Sequence, residues 1–166
     1  MNSDSPNQAM PNAPMQGGHY PKFLLTLAVS FVVMYVVMYL NTYELDHVYF
    51  SLTRFYMTVL MVTAMAVVML LMMPMMYPNK TTNGIIMGAS LTLFVGALVM
   101  VRAQTFVDDT TWMKAMIPHH SIAILTSERA TIKDPEVRKL ADGIITAQKR
   151  EIGEMKAMIK RLEAQP

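Results

Sequence analysis

The sequence predicts an all-α protein in which three transmembrane helices precede a soluble antiparallel helical hairpin. The first observation is the uneven placement of charge, since 11 of the 14 basic and 9 of the 12 acidic residues lie from Arg102 onward. The second is that three apolar stretches ahead of Arg102 reach the roughly 17–25 residues that a helix needs to cross a bilayer. The third is a helix-start signal, Asp134-Pro135-Glu136, in which an acid can cap the helix and proline occupies its first turn.

These observations divide the chain into three parts. Residues 1–22 are rich in Pro, Asn, Gln, Ser and Gly and are expected to form a disordered tail that also contains methionines. Residues 23–104 are expected to form the transmembrane region, and residues 105–166 the hairpin domain. The three spans are expected at about 23–40, 55–77 and 84–101.

The two helices of the hairpin carry separate signals. The first is expected to begin at Asp108 or Asp109, whose carboxylates suit the positive N-terminal end of a helix. Pro118 lies inside this helix and is expected to kink it or to open one turn. The second helix has an apolar face that repeats with helical spacing along its whole length. Its members are Val137, Leu140, Ala141, Ile144, Ile145, Ile152, Met155, Ile159 and Leu162.

The hairpin is expected to assemble with a second copy. A helix pair of about 60 residues buries too little apolar surface for comfortable stability alone. Pairing two hairpins into a four-helix bundle is the simplest remedy, and two-fold symmetry is the commonest arrangement. We therefore expect a homodimer or a higher oligomer.

Candidate metal ligands are concentrated in the same hairpin. Thioethers select soft monovalent ions such as Cu(I) or Ag(I), and imidazole suits copper and several other metals. A carboxylate would extend the range to Cu(II). The predicted ligands are Met113, Met116, His119, His120, Glu151 and Met155. Expected accessory ligands are Asp109, Gln148, Met158 and His47.

The geometry of this set depends on where the hairpin turns. A turn near residues 132–133 is expected to place His120 opposite Ile145 and Met116 opposite Lys149. One helical turn of slack then brings Glu151 and Met155 to the first helix. In the alternative interpretation the methionines are core residues, His119 is solvated, and His120 is satisfied by a Glu or Gln.

Two other segments leave alternatives open. Methionines recur at helical spacing along the second span, where they serve either as adaptable packing or as an ion relay. They are Met57, Met61, Met65, Met69, Met72 and Met76. In the loop 41–54, Asp46 and His47 either receive an incoming ion, contact the hairpin, or belong to a plain interfacial loop.

The hairpin also resembles a known family. The runs MIPHHSIAIL and PEVRKLADGIITAQKREIGEM, within about Asp108–Leu162, resemble the family catalogued as domain of unknown function 305. The resemblance implies a ferritin-like helical fold, an association with copper binding and copper tolerance, and metal handling rather than catalysis. The apolar segments ahead of these runs resemble the membrane-anchored members of that family.

The sequence accordingly predicts a membrane-anchored binding protein that buffers Cu(I) or Ag(I) or hands it on. An enzyme is not expected, because neither His119 nor His120 has a Glu three residues earlier, and because a phosphate loop and an HExxH motif are missing. Mixed charges argue against a nucleic-acid partner. The alternative is a structural or assembly membrane protein whose hairpin contacts other proteins.

The expected surroundings follow from the same features. The partners are the lipid bilayer, a second copy of the chain, and a copper exporter or chaperone. The expected location is a bacterial inner membrane, with the C-terminal domain in the periplasm. Zero cysteines exclude thiolate metal sites.

Overall fold

A computed structural model describes residues 19–164, and within that range the chain is helical and contains no strand. A short 3₁₀ helix, Leu45–His47, lies in the first long loop. The α-helices are α1 (Tyr20–Val37), α2 (Leu52–Met72), α3 (Lys80–Ala103), α4 (Asp109–Arg129) and α5 (Pro135–Glu163). The predicted all-α class is therefore confirmed for the described residues, whereas residues 1–18 of the predicted tail, with their methionines, lie outside them.

The first three helices are each long and apolar enough to cross a membrane. Their bounds differ from the expected spans by two to five residues at each end, and three of these ends have a local cause. Helix α1 begins at Tyr20 because Pro21 fits a first turn. Helix α2 ends at Met72, shortly before Pro74, which lacks the N–H that would continue the helix. Helix α3 begins at Lys80 because the side chain of Asn79 accepts a backbone hydrogen bond from Thr82 at 3.0 Å.

Helix α2 lies between α1 and α3 and packs against both. At one end the outer helices meet, where the Tyr20 hydroxyl donates to Asn83 Oδ1 at 2.8 Å. At the other end the Tyr56 hydroxyl donates to the Thr105 carbonyl at 2.8 Å, which ties α2 to the link before α4. That link turns sharply, since Gln104 and Phe106 have φ values of 50° and 60°.

The methionine stripe of α2 is largely uncovered by the other described residues. Met57, Met61 and Met72 expose 41%, 38% and 75% of their surface, whereas Met65 and Met69 are partly buried. Met69 packs against the apolar cluster around Phe23. Packing within the described chain therefore accounts for only part of the stripe.

Helices α4 and α5 run antiparallel and share an apolar core. Asp108, not Asp109, caps α4 by accepting the Thr111 N–H at 2.7 Å. Asp134 caps α5 by accepting two backbone N–H groups at 2.9 Å. The buried core residues are Met113, Ile117, Ile124, Ile152, Met155 and Ile159.

Two local features of this pair bear on the sequence predictions. Helix α4 continues through the buried Pro118 without an opened turn, so one of the two effects expected of this proline is not observed. The apolar face of α5 is not buried along its whole length. Its first turns leave Val137, Leu140 and Ile144 exposed by 50%, 65% and 37%.

The register of the pair also differs from the expected one. His120 meets Glu151, six residues farther along α5 than Ile145. The cause lies in the link 130–134, where Ala130 leaves α4 in an extended conformation and Asp134 is extended as well. This link shifts α5 along α4, and in the first turn of α5 Arg138 still donates a hydrogen bond to the Ser127 carbonyl at 3.0 Å.

Candidate metal site

The candidate ligands form two rows that face each other across one side of the α4–α5 pair. Residues spaced alternately by three and four share one stripe of a helix surface. The row on α4 consists of Asp109, Met113, Met116 and His120. The row on α5 consists of Gln148, Glu151, Met155 and Met158. We call these two rows the ligand seam.

Contacts at two levels show how the rows align. His120 Nε2 lies 2.8 Å from Glu151 Oε2. Nearer the membrane helices, Asp109, Met113 and Met158 line one cavity of about 460 Å³. Because the two antiparallel rows meet at both of these places, they are aligned between them as well, and Met116 lies at the same height along the helix pair as Met155. The seam therefore places thioethers between a histidine–carboxylate pair at one end and a carboxylate at the other.

The two histidines have different surroundings. The His119 side chain is exposed, and its ring centroid lies 6.2 Å from that of His120. The His120 side chain is only 16% exposed. Its Nδ1 atom is buried and makes no hydrogen bond with any described residue. Because a neutral imidazole has one donor and one acceptor nitrogen, donation from Nε2–H to Glu151 leaves an electron pair on Nδ1.

The methionines of the seam also serve the core. Met113 and Met155 are 5% and 7% exposed and belong to the apolar cluster, while Met116 is partly buried and packs against it. Core methionines, a solvated His119 and a His120 paired with a Glu are what the packing alternative predicts. Packing does not explain the unpaired His120 Nδ1, since an unsatisfied buried polar atom costs about 1–3 kcal/mol.

Comparison with known proteins shows what this region is similar to. Residues 102–166 match the family model described as a domain of unknown function, DUF305. The chain is also 34% identical over 141 residues to the "Uncharacterized protein L153" of Acanthamoeba polyphaga mimivirus, an alignment that covers 81% of this chain and 91% of that protein. Residues 102–166 form a DUF305 domain. No solved structure matches it.

The family match confirms the resemblance seen in the MIPHH and AQKREIGEM runs. The matched DUF305 domain starts at Arg102, at the end of α3, and includes both rows of the ligand seam. The alignment with the mimivirus protein is more than twice as long as the domain, so it extends into the apolar helices. The similarity is therefore not confined to the DUF305 domain.

One predicted accessory ligand lies elsewhere. His47 is not on the seam but on the other side of the α4–α5 pair, where its Nδ1 lies 3.0 Å from Ser121 Oγ. Ser121 Oγ also accepts the backbone N–H of Tyr43 at 2.6 Å. Asp46 Oδ2 accepts a hydrogen bond from Lys156 Nζ at 2.5 Å. The loop between α1 and α2 therefore docks on the DUF305 domain, which is one of the alternatives that its sequence left open.

Sequence reasoning missed Ser121 as the centre of this docking. Ser121 follows the two histidines and is 0% exposed, but the groups that it contacts lie 74 and 78 positions away in the chain. Hydrophobic spacing within one helix carries no information about such a distant partner. The available signal was the position of Ser121, a small polar residue on the same helix stripe as the apolar residues Ile117 and Ile124.

The docked loop has its own electrostatics. Burial lowers the pKa of His47, the positive charge of Lys156 lowers it further, and the carboxylates of Asp46 and Glu44 oppose both effects. The hydrogen bond from Lys156 lowers the pKa of Asp46. A neutral imidazole and an ionised carboxylate are thus the favoured states around neutral pH.

Proposed function

We propose that this protein is a membrane-anchored binding protein that buffers Cu(I) or Ag(I), or hands the ion on, through the ligand seam. The observation that carries the proposal is the state of His120. Its Nδ1 is buried and has no hydrogen-bond partner among residues 19–164, and its Nε2 lies 2.8 Å from a carboxylate. Metal-binding histidines commonly donate their second ring N–H to a carboxylate, which sets the tautomer and the ring orientation.

The other ligands follow from the neighbours of His120. Met116 lies one helical turn before it, and Met155 lies on the facing row with Met113 nearby. Thioethers carry no charge and no proton, so a buried apolar seam suits a monovalent soft ion better than a divalent one. In this proposal Glu151 orients His120 rather than binding the ion, and the exposed His119 offers a first contact to an ion from solvent.

We infer that α1, α2 and α3 anchor the protein in a bilayer. The loop that docks on the DUF305 domain connects α1 to α2, so both lie on the same side of the membrane in a three-span arrangement. We place that side in the periplasm of a bacterial inner membrane, where a copper exporter or chaperone would be the partner. Thiol labelling of a single introduced cysteine tests the side cleanly, because the natural chain contains none.

We further propose that the DUF305 domain pairs with a second copy, to give a homodimer or a higher oligomer with a four-helix bundle. The exposed residues Val137, Leu140 and Ile144 on α5 support this proposal. An open groove runs along α5, and a second helix can fill it. The groove is lined by Leu140, Gly143, Ile144 and Ala147.

A competition titration of the full chain in detergent tests the metal proposal. Cu(I) should be taken from a chelator, and an excess of Zn(II) should not displace it from the seam. Binding should weaken but persist below the ordinary histidine pKa of about 6.5, because thioethers do not protonate. Displacement of Cu(I) by Zn(II), or complete loss of binding on acidification, would contradict a thioether site.

The same exposed apolar face also favours a second candidate, a structural or assembly membrane protein. In that case the methionines provide an adaptable contact surface and the protein does no metal chemistry. Failure to bind Cu(I) or Ag(I), with self-association retained, would favour this second function.

A further inference from the structure

A second cluster of metal-ligating groups lies in the loop between α1 and α2. Glu44, Asp46 and His47 each present one ligand atom, and these three atoms lie within 4.8 Å of one another. His47 Nε2 is 3.6 Å from both Glu44 Oε2 and Asp46 Oδ1. The separations are too long for good hydrogen bonds but leave room for an ion between the three groups.

The surroundings of His47 resemble those of a metal ligand. The residue is only 5% exposed, so the fold fixes its ring, and its Nε2 makes no hydrogen bond with any described residue. Nδ1 lies 3.0 Å from Ser121 Oγ, a hydroxyl that can accept the Nδ1–H. When Nδ1–H donates to Ser121, the electron pair of the neutral ring is on Nε2, which faces the two carboxylates.

We propose that Glu44, Asp46 and His47 form a second metal site, which takes a divalent transition ion such as Zn(II). One imidazole and two carboxylates are harder ligands than the thioethers of the seam, and they bring the negative charge that a divalent ion requires. This site is separate from the ligand seam, and its failure would leave the proposed Cu(I) function untouched.

Lys156 opposes the ion most directly, and Lys149, which interacts electrostatically with Glu44, opposes it from farther away. Lys156 Nζ contacts Asp46 Oδ2, whereas Asp46 Oδ1 is the oxygen that faces His47. One carboxylate can therefore keep its lysine on the outer oxygen and offer the inner oxygen to the ion. The positive charge of Lys156 still lowers the affinity, so removing it should strengthen binding.

Occupancy of this site would fasten the loop to the DUF305 domain. The loop already contacts α4 through Ser121 and α5 through Lys156. An ion that fixes the three loop residues in their docked positions favours the docked loop by mass action. The proposed site would thus join the membrane region and the DUF305 domain through the loop.

Calorimetric titration of the full chain in detergent with Zn(II) tests the proposal. The other histidines are first replaced (His19→Ala, His119→Ala and His120→Ala), so that His47 is the remaining histidine. We expect one Zn(II) per chain, a loss of affinity of about tenfold or more in Glu44→Gln, and tighter binding in Lys156→Gln. Glu44 is exposed, so its replacement should leave the fold intact.

The matched control is Glu154→Gln, which changes an exposed carboxylate on α5 away from the loop. It should leave the Zn(II) affinity unchanged. Stoichiometric binding that is equally strong in Glu44→Gln and the control would overturn the site, as would the absence of Zn(II) binding in the triple-alanine background. Weaker binding in Lys156→Gln would show that the lysine does not oppose the ion.

Discussion

The two sides of the α4–α5 pair differ in what covers them. One side is covered by the loop between α1 and α2, through Tyr43 and His47 on Ser121 and through Asp46 on Lys156. The other side carries the ligand seam and an apolar stripe, in which Leu140 and Met158 remain 65% and 44% exposed. We call these the covered side and the open side.

The two sides therefore differ in the kind of contact that they can make. The covered side uses polar contacts between specific partners, and such contacts set orientation more than they add stability, since exposed ion pairs contribute little. The open side combines apolar surface with soft ligands. In the proposals above, a partner chain and Cu(I) both use the open side, while the contacts of the covered side hold the loop against the DUF305 domain.

The largest expected effect comes from placing charge on each part of α5. Ile152→Glu should unfold the α4–α5 pair, because Ile152 is 4% exposed and a buried unpaired carboxylate costs several kcal/mol. Ile144→Glu should leave the helices folded and separate the copies, because Ile144 is 37% exposed on the open side. Circular dichroism and sedimentation together measure both outcomes. A wild-type chain that sediments as a folded monomer would contradict the dimer and leave the open side without this partner.

The next effect concerns the sulfur atoms of the open side. Met116→Leu keeps the side-chain volume and removes the thioether, so stability should change by less than about 1.5 kcal/mol while Cu(I) affinity falls by more than about tenfold. Thermal unfolding and chelator competition measure the two quantities.

The matched control is Met65→Leu in α2. If the α2 methionines only pack, this variant should match the wild type in both Cu(I) affinity and copper tolerance. Lower tolerance with unchanged affinity would indicate a relay along α2. If Met116→Leu binds Cu(I) with the affinity of the wild type, Met116 is a core residue and not a ligand.

The smallest expected effect tests the orientation of His120. Glu151→Gln preserves size but replaces the carboxylate that accepts the Nε2–H, so Cu(I) affinity should fall by about tenfold. A Glu151→Asp variant should recover part of the loss if its shorter carboxylate still reaches the ring. An unchanged affinity in Glu151→Gln would show that Glu151 does not orient the ligand.

The sequence alone determined the local features of the chain. Apolar length predicted the three long helices, and the Asp134-Pro135-Glu136 signal predicted the start of α5 to the residue. The two short runs that carry the family resemblance lie within the matched DUF305 domain. These features depend on capping, helix periodicity and hydropathy, which act over a few neighbouring residues and can be read from spacing.

Only the tertiary structure decided how the helices align and which atoms meet. The extended link 130–134 shifted α5 by six residues relative to the expected turn, and so paired His120 with Glu151 rather than facing it with Ile145. The unpaired Nδ1 of His120 and the docking of His47 on Ser121 depend on this packing. Contacts between residues tens of positions apart result from the simultaneous packing of several helices, and no local pattern in the chain encodes them.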